Sequence, residues 1–184
     1  MKNITSKLTV FFAAILAILG QAHAQANVPT YGQRWQPWCY DRLGYGPSTI
    51  GTEGCLLTDI ASIRTFYGNW QTPRTMNQWL KSHGGFYYDS VVWGAVPGYR
   101  GQRDYSRVTA DLNFINSCLD QGYLVVVQTY MPPYRTQPHW VLLTGHWGYR
   151  YSMMDPWWGD KAYFNDRYGD PGRWIYRAAW FGRW

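Results

Sequence analysis

The chain changes character at Gly122. Before it, apolar residues recur at helical spacing; after it they run in unbroken blocks, "YLVVVQTYM" (Tyr123–Met131) and "HWVLLTGHW" (His139–Trp147). Blocks this short and this apolar read as strands, the first of them buried on both faces. "YRYSMMDP" follows as a third strand after a tight turn near Gly148, and "RWIYRAAWF" supplies a fourth near the end of the chain. Helices first and strands later predict an α+β domain with N-terminal helices packed on an antiparallel sheet.

Three helices are expected. Leu56, Leu57, Ile60, Ala61, Ile63 and Phe66 form the apolar stripe of the first, which Gly68 ends. The second runs from about Met76 to Ser82 and stops at Gly84 and Gly85. The third lies in "TADLNFINSCLDQG", with Val108, Leu112, Ile115 and Leu119 on one face and Gly122 as its stop. Val28–Thr52 and Val91–Arg107 read as loops rich in Gly, Pro and aromatic residues.

Residues 1–24 read as a signal peptide, outside the fold. Lys2 and Lys7 give a basic start, Leu8–Leu19 an apolar run, and Ala22-His23-Ala24 a small-residue cleavage site. The apolar run is too short for the ~20 residues that span a bilayer. Cleavage after Ala24 is expected, leaving residues 25–184 as one domain, secreted or periplasmic, monomeric and without a stable membrane anchor. The net charge of +6 is spread along the chain with no basic run, so nucleic acid is not an expected partner. There are 12 Trp and 16 Tyr, more than a core of this size needs, which predicts that some line a groove.

Cys39, Cys55 and Cys118 are an odd set for an oxidising compartment. A Cys39–Cys118 disulfide would leave Cys55 free; the alternative is three buried thiols. Cys55 opens the first helix, where the helix dipole and unpaired N–H groups favour negative charge on sulfur. Its own N–H can point at a developing oxyanion. A thiol nucleophile needs an oriented base. His83 reads as a helix C-terminal residue. His139 and His146 share a strand but, seven positions apart, face opposite ways. His139 opens its strand and Asp155 closes the next, so a hairpin brings these two together. Cys55, His139 and Asp155 are therefore the candidate catalytic set. Asp59, one helical turn past Cys55, could tune the thiol but reads more readily as a helix-surface carboxylate, and "DPWWGD" and "NDRYGDPG" read as solvated turns. No Cys-x-x-Cys or His-Glu-x-x-His pattern is present, so no metal or other cofactor is expected.

"GCLLTDIASIRTFYG", "PHWVLLTG" and "MMDPWWG" resemble the three motif blocks of the peptidase C39-like family. These are papain-like cysteine peptidases related to the domains that process double-glycine bacteriocin leaders. The lead-in "YGQRWQPWCYDRLGYGPSTIGTEGC" also resembles that of the stand-alone members, so the resemblance spans Tyr31 to Gly159. It implies a papain-like fold, with Cys55 as nucleophile, His139 as base, Asp155 as its orienting partner and Gln33 as an oxyanion-hole side chain. Transporter-linked members carry that glutamine six residues before the cysteine, where this chain has Thr49, and Asp directly before it, where this chain has Gly54.

The sequence thus points to an exported cysteine hydrolase acting on a peptide bond, in a protein or a peptidoglycan stem, with Trp140, Trp157 and Trp158 as candidate cleft walls. Two other readings stay open. One is a transglutaminase-type acyl transferase; the other is a catalytically silent, Trp-rich module that binds peptidoglycan or protein.

Overall fold

The computed structural model describes residues 25–184; residues 1–24, read from the sequence as a signal peptide, lie outside the described residues. The helices α1 (Ile50–Glu53), α2 (Cys55–Phe66) and α3 (Pro73–Ser82) come first. A small hairpin follows, β1 (Phe86–Tyr87) and β2 (Ser90–Val91), then β3 (Tyr99–Asp104) and α4 (Leu112–Asp120). The rest is β4 (Leu124–Tyr130), β5 (Pro138–Trp147), β6 (Arg150–Asp155), β7 (Asp160–Tyr163), α5 (Phe164–Tyr168), α6 (Pro171–Trp174) and β8 (Arg177–Phe181). Strands β3 to β8 form one sheet in the order β3-β8-β4-β5-β6-β7, antiparallel at every pairing.

The unbroken apolar run of β4 follows from its place inside this sheet. Leu124 and Val126 join Leu57, Ile60, Leu142 and Met154 in the core beneath α2 and α3. Val125 and Val127 point the other way, into a second core with Ile115, Cys118, Phe164 and Tyr168. The fold is therefore three layers, with α4 and α5 behind the sheet and the first helices in front. An antiparallel α+β architecture agrees with the sequence reading; the rear layer was not anticipated.

Two local devices shape the front layer. The Thr49 hydroxyl accepts from the Thr52 N–H while the Thr52 hydroxyl accepts from the Thr49 N–H, a reciprocal cap on α1. Gly54 then joins α1 to α2. A Cβ at Gly54 would lie 2.4 Å from the Ile50 carbonyl oxygen, so only glycine lets the two helices meet this closely. No side chain caps α2, whose first residue is Cys55.

Some expectations require correction. Tyr99–Asp104, read as loop, is strand β3 at the sheet edge, paired with β8 at the far end of the chain. "NDRYGDPG" forms α5 and α6, with Tyr168 buried. All three cysteines are free. Cys39 sits at the front, where its carbonyl accepts from the Gly51 N–H at 2.8 Å, whereas Cys118 is buried on α4 behind the sheet. A sheet lies between them, and a disulfide needs Cα atoms within about 7 Å. Among the described residues, no helix is long and apolar enough to cross a membrane.

Candidate active site

Cys55, His139 and Asp155 arrive from three different elements. Cys55 opens α2 and retains 7% exposure. His139 is the second residue of β5 and Asp155 the last of β6. Leu142 pairs with Met154, so the start of β5 runs beside the end of β6. The His139 Nε2–H donates to Asp155 Oδ1 at 2.9 Å. An ionised carboxylate can only accept, which fixes the ring proton on Nε2 and leaves Nδ1 as the basic nitrogen. Cys55 and His139 both line one small cavity, and Cys55 is one of the groups that raise the pKa of this imidazole. His146 points elsewhere, with Nε2 2.7 Å from Asp120 Oδ1 on α4.

Asp155 is completely buried and accepts on both oxygens. Oδ1 takes the Trp157 N–H at 3.0 Å in addition to His139. Oδ2 takes Arg167 Nη1 at 2.9 Å and the Tyr168 hydroxyl at 2.7 Å. Arg167 is itself held by a bidentate pair with Asp160, both contacts at 2.8 Å. Burial favours the neutral acid, but these donors and the His139 charge outweigh it and hold Asp155 below the ordinary carboxylate range. Burial likewise disfavours a charged His139. Its hydrogen bond to Asp155 and the nearby Cys55 and Asp155 charges overcome that and raise its pKa to about 10.

Gln33 reaches the site through a close crossing of two loops. A Cβ on Gly159, which has φ +67°, would meet Gly32 Cα at 3.0 Å. Two glycines therefore let the Gly32 segment lie against the turn after Asp155. There the Gln33 N–H donates to the Pro156 carbonyl at 2.7 Å and its side-chain Nε2–H to the Gly51 carbonyl at 3.2 Å.

Cys55 borders two cavities. The larger, about 440 Å³, is lined by Glu53, Asp89, Trp93, Trp140 and Arg177 among others. The smaller, about 70 Å³, has Gln33, His139, Met131 and Trp157 in its wall. Trp140 thus lines the larger cavity and Trp157 the smaller. Trp158 lines neither cavity; its ring lies under Arg167, 4.5 Å from the guanidinium carbon. Trp93, which packs edge-on against Trp140 at 5.4 Å, was not anticipated. Nor were Arg167 and Tyr168, whose segment was noticed only for its acids and glycines. Asp59 is not on the helix surface: it is 0% exposed. Among the described residues, no group of three or more His, Cys, Asp or Glu side chains could hold a metal ion.

No family model matches the sequence, and no curated protein matches it. A search of solved structures returns a crystal structure from Bacillus anthracis, of a protein provisionally described as a C39-like peptidase. The chain resembles this C39-like peptidase. Identity is 15%, the TM-score is 0.48, and the match covers 86% of this chain and 96% of the other. The likeness is one of outline, so the chemistry available at Cys55 follows from the contacts of this chain's own side chains.

Proposed function

We propose that the protein is an exported, papain-like cysteine hydrolase that cleaves a peptide bond, with Cys55 as nucleophile, His139 as base and Asp155 as its orienter. The observation that carries this reading is the His139–Asp155 pair beside Cys55, at the boundary of two cavities. An imidazole whose Nε2–H is committed to a saturated carboxylate is fixed in both tautomer and orientation.

In this reading the Cys55 thiol gives its proton to His139 Nδ1, and the sulfur attacks the substrate carbonyl carbon. The Cys55 N–H, at an uncapped helix start, and the Gln33 side-chain amide stabilise the oxyanion. His139 returns the proton to the leaving amine as the carbon–nitrogen bond breaks, leaving a thioester on Cys55. Water, deprotonated by His139, then attacks the thioester and restores the thiol. The larger cavity, walled by Trp93 and Trp140, suits one side of an extended peptide or a peptidoglycan stem. Trp157 borders the smaller one on the other side.

The test compares wild type with Cys55→Ala and His139→Ala on a peptide library and on purified sacculi, with products read by mass spectrometry. Cleavage by wild type alone is the expected result. Equal cleavage by Cys55→Ala rejects the reading. Product carrying an added amine in place of water identifies an acyl transferase.

A further inference from the structure

Asp59 is a buried polar group near the site that the proposed mechanism leaves unused. It lies on α2 at four residues from Cys55, the spacing that puts two side chains on one helix face about 5–6 Å apart. It is 0% exposed, and neither carboxyl oxygen has a hydrogen-bond partner among the described residues. Its neighbours on the same helix satisfy themselves locally: the Thr58 hydroxyl donates to the Gly54 carbonyl at 2.8 Å and the Ser62 hydroxyl to the Thr58 carbonyl at 3.2 Å. Asp59 makes no such bond. The titratable groups that act on it are Cys55 on its own helix, His139 on β5 and Asp155 on β6, and it in turn acts on Tyr168 of α5.

With Cys55 taken as thiolate and His139 as imidazolium, as the proposed mechanism has them, charge counting decides its state. A Cys55 thiolate and a His139 imidazolium cancel. Asp155 and Arg167, at 2.9 Å, cancel as well, and Tyr168 enters as a neutral donor. Asp160, the other partner of Arg167, has a side chain 44% exposed and is stabilised by water. An ionised Asp59 would add a buried negative charge with neither a counter-ion of its own nor a hydrogen bond, which is among the most costly arrangements a protein interior can hold. Burial, and then the negative charge of Cys55, push its pKa well above the ordinary carboxylate value.

We propose that Asp59 is a neutral carboxylic acid in the working protein, a positioning residue that keeps the buried site at the zero net charge a thiolate–imidazolium pair requires. Its ionisation would set a second negative charge against the sulfur and compete for the imidazolium. The residue thus limits how much charge the site holds while never touching substrate.

This rests on the reading of Cys55 as nucleophile, and the experiment separates the two. Wild-type protein labelled with carbon-13 at its aspartate carboxyls is titrated by NMR. One carboxyl resonance stays at the protonated position at pH 7, and it is the one missing from Asp59→Asn. A spectrum in which every aspartate is a carboxylate at pH 7 overturns the proposal, whether or not the variant folds. In parallel, the rate of Cys55 alkylation by iodoacetamide is followed from pH 4 to 9. A neutral-for-neutral exchange keeps the Asp59→Asn rate within about twofold of wild type at every acidic pH. A loss of about tenfold or more on the acid side means that a charge was removed, and rejects it. If His139→Ala alkylates as fast as wild type, the nucleophile assignment fails, while the carbon spectrum still reports on Asp59.

Discussion

The Tyr168 hydroxyl donates to Asp155 Oδ2 at 2.7 Å, on the carboxylate oxygen that His139 does not use. This contact belongs to the rear layer of the fold, yet it sets the orientation of a group at the front. Tyr168→Phe removes the donor and leaves the volume unchanged. Loss of one donor to a buried charged acceptor is expected to cost about 1–3 kcal/mol, read from urea unfolding. Activity should fall through kcat with KM nearly constant, because Tyr168 is fully buried and reaches the site only through Asp155. A variant as stable and active as wild type would mean that Arg167 and Trp157 hold Asp155 without help.

Gln33 has a separate expected signature. If its amide stabilises the oxyanion, Gln33→Ala lowers kcat by about 10²–10³. The rate of Cys55 alkylation, which forms no oxyanion, should stay near the wild-type value. Equal losses in both measurements would assign Gln33 to the packing of the Gly32–Gly159 crossing instead.

The pH dependence of stability follows from His139 and Asp155. The pKa of folded His139 is raised from 6.5 to about 10, so its contribution is complete below pH 6.5 and disappears as pH rises to about 10. The pKa of folded Asp155 is depressed below 3.8, so its contribution is complete above that value and is lost as pH falls through the lower one. Asp59 acts in the opposite sense to Asp155: its raised pKa favours the unfolded chain as pH climbs above 3.8. Each such group changes stability by at most about 1.4 kcal/mol per pH unit. Thermal melts from pH 6 to 10 should therefore fall less steeply for Cys55→Ala than for wild type, because Cys55 is part of what raises His139.

The cysteines give a direct check on topology. Protein purified without reductant and then denatured should titrate as three thiols per chain. In the native state Cys118 should be the slowest, since burial raises its pKa to about 11, and half-buried Cys39 should react sooner. Intact-mass detection of a Cys39–Cys118 link would contradict the placement of these residues on opposite sides of the sheet.

The parts of the site that the sequence made legible are those fixed by local rules. A glycine-framed cysteine before an apolar stripe has to start a helix. Two apolar runs joined by a turn near Gly148 have to form a hairpin, so His139 and Asp155 meet. These conclusions need only periodicity, caps and turn length, which act over a few residues. Edge strand β3 escaped notice because its partner, β8, lies at the far end of the chain, and its own residues, Tyr99–Asp104, are mostly exposed and lack an apolar run.

What the sequence by itself determined is the order of the three main helices and the central strands, the antiparallel sheet and the meeting of His139 with Asp155. Only the tertiary structure decided their surroundings. The rear layer brings Arg167 and Tyr168 to Asp155, the sheet separates Cys39 from Cys118, and the packing of α2 seals Asp59 from water. In each case the reason is the same: whether a charged or polar group is paired, exposed or stranded depends on what the rest of the chain folds against it, and no local pattern carries that information.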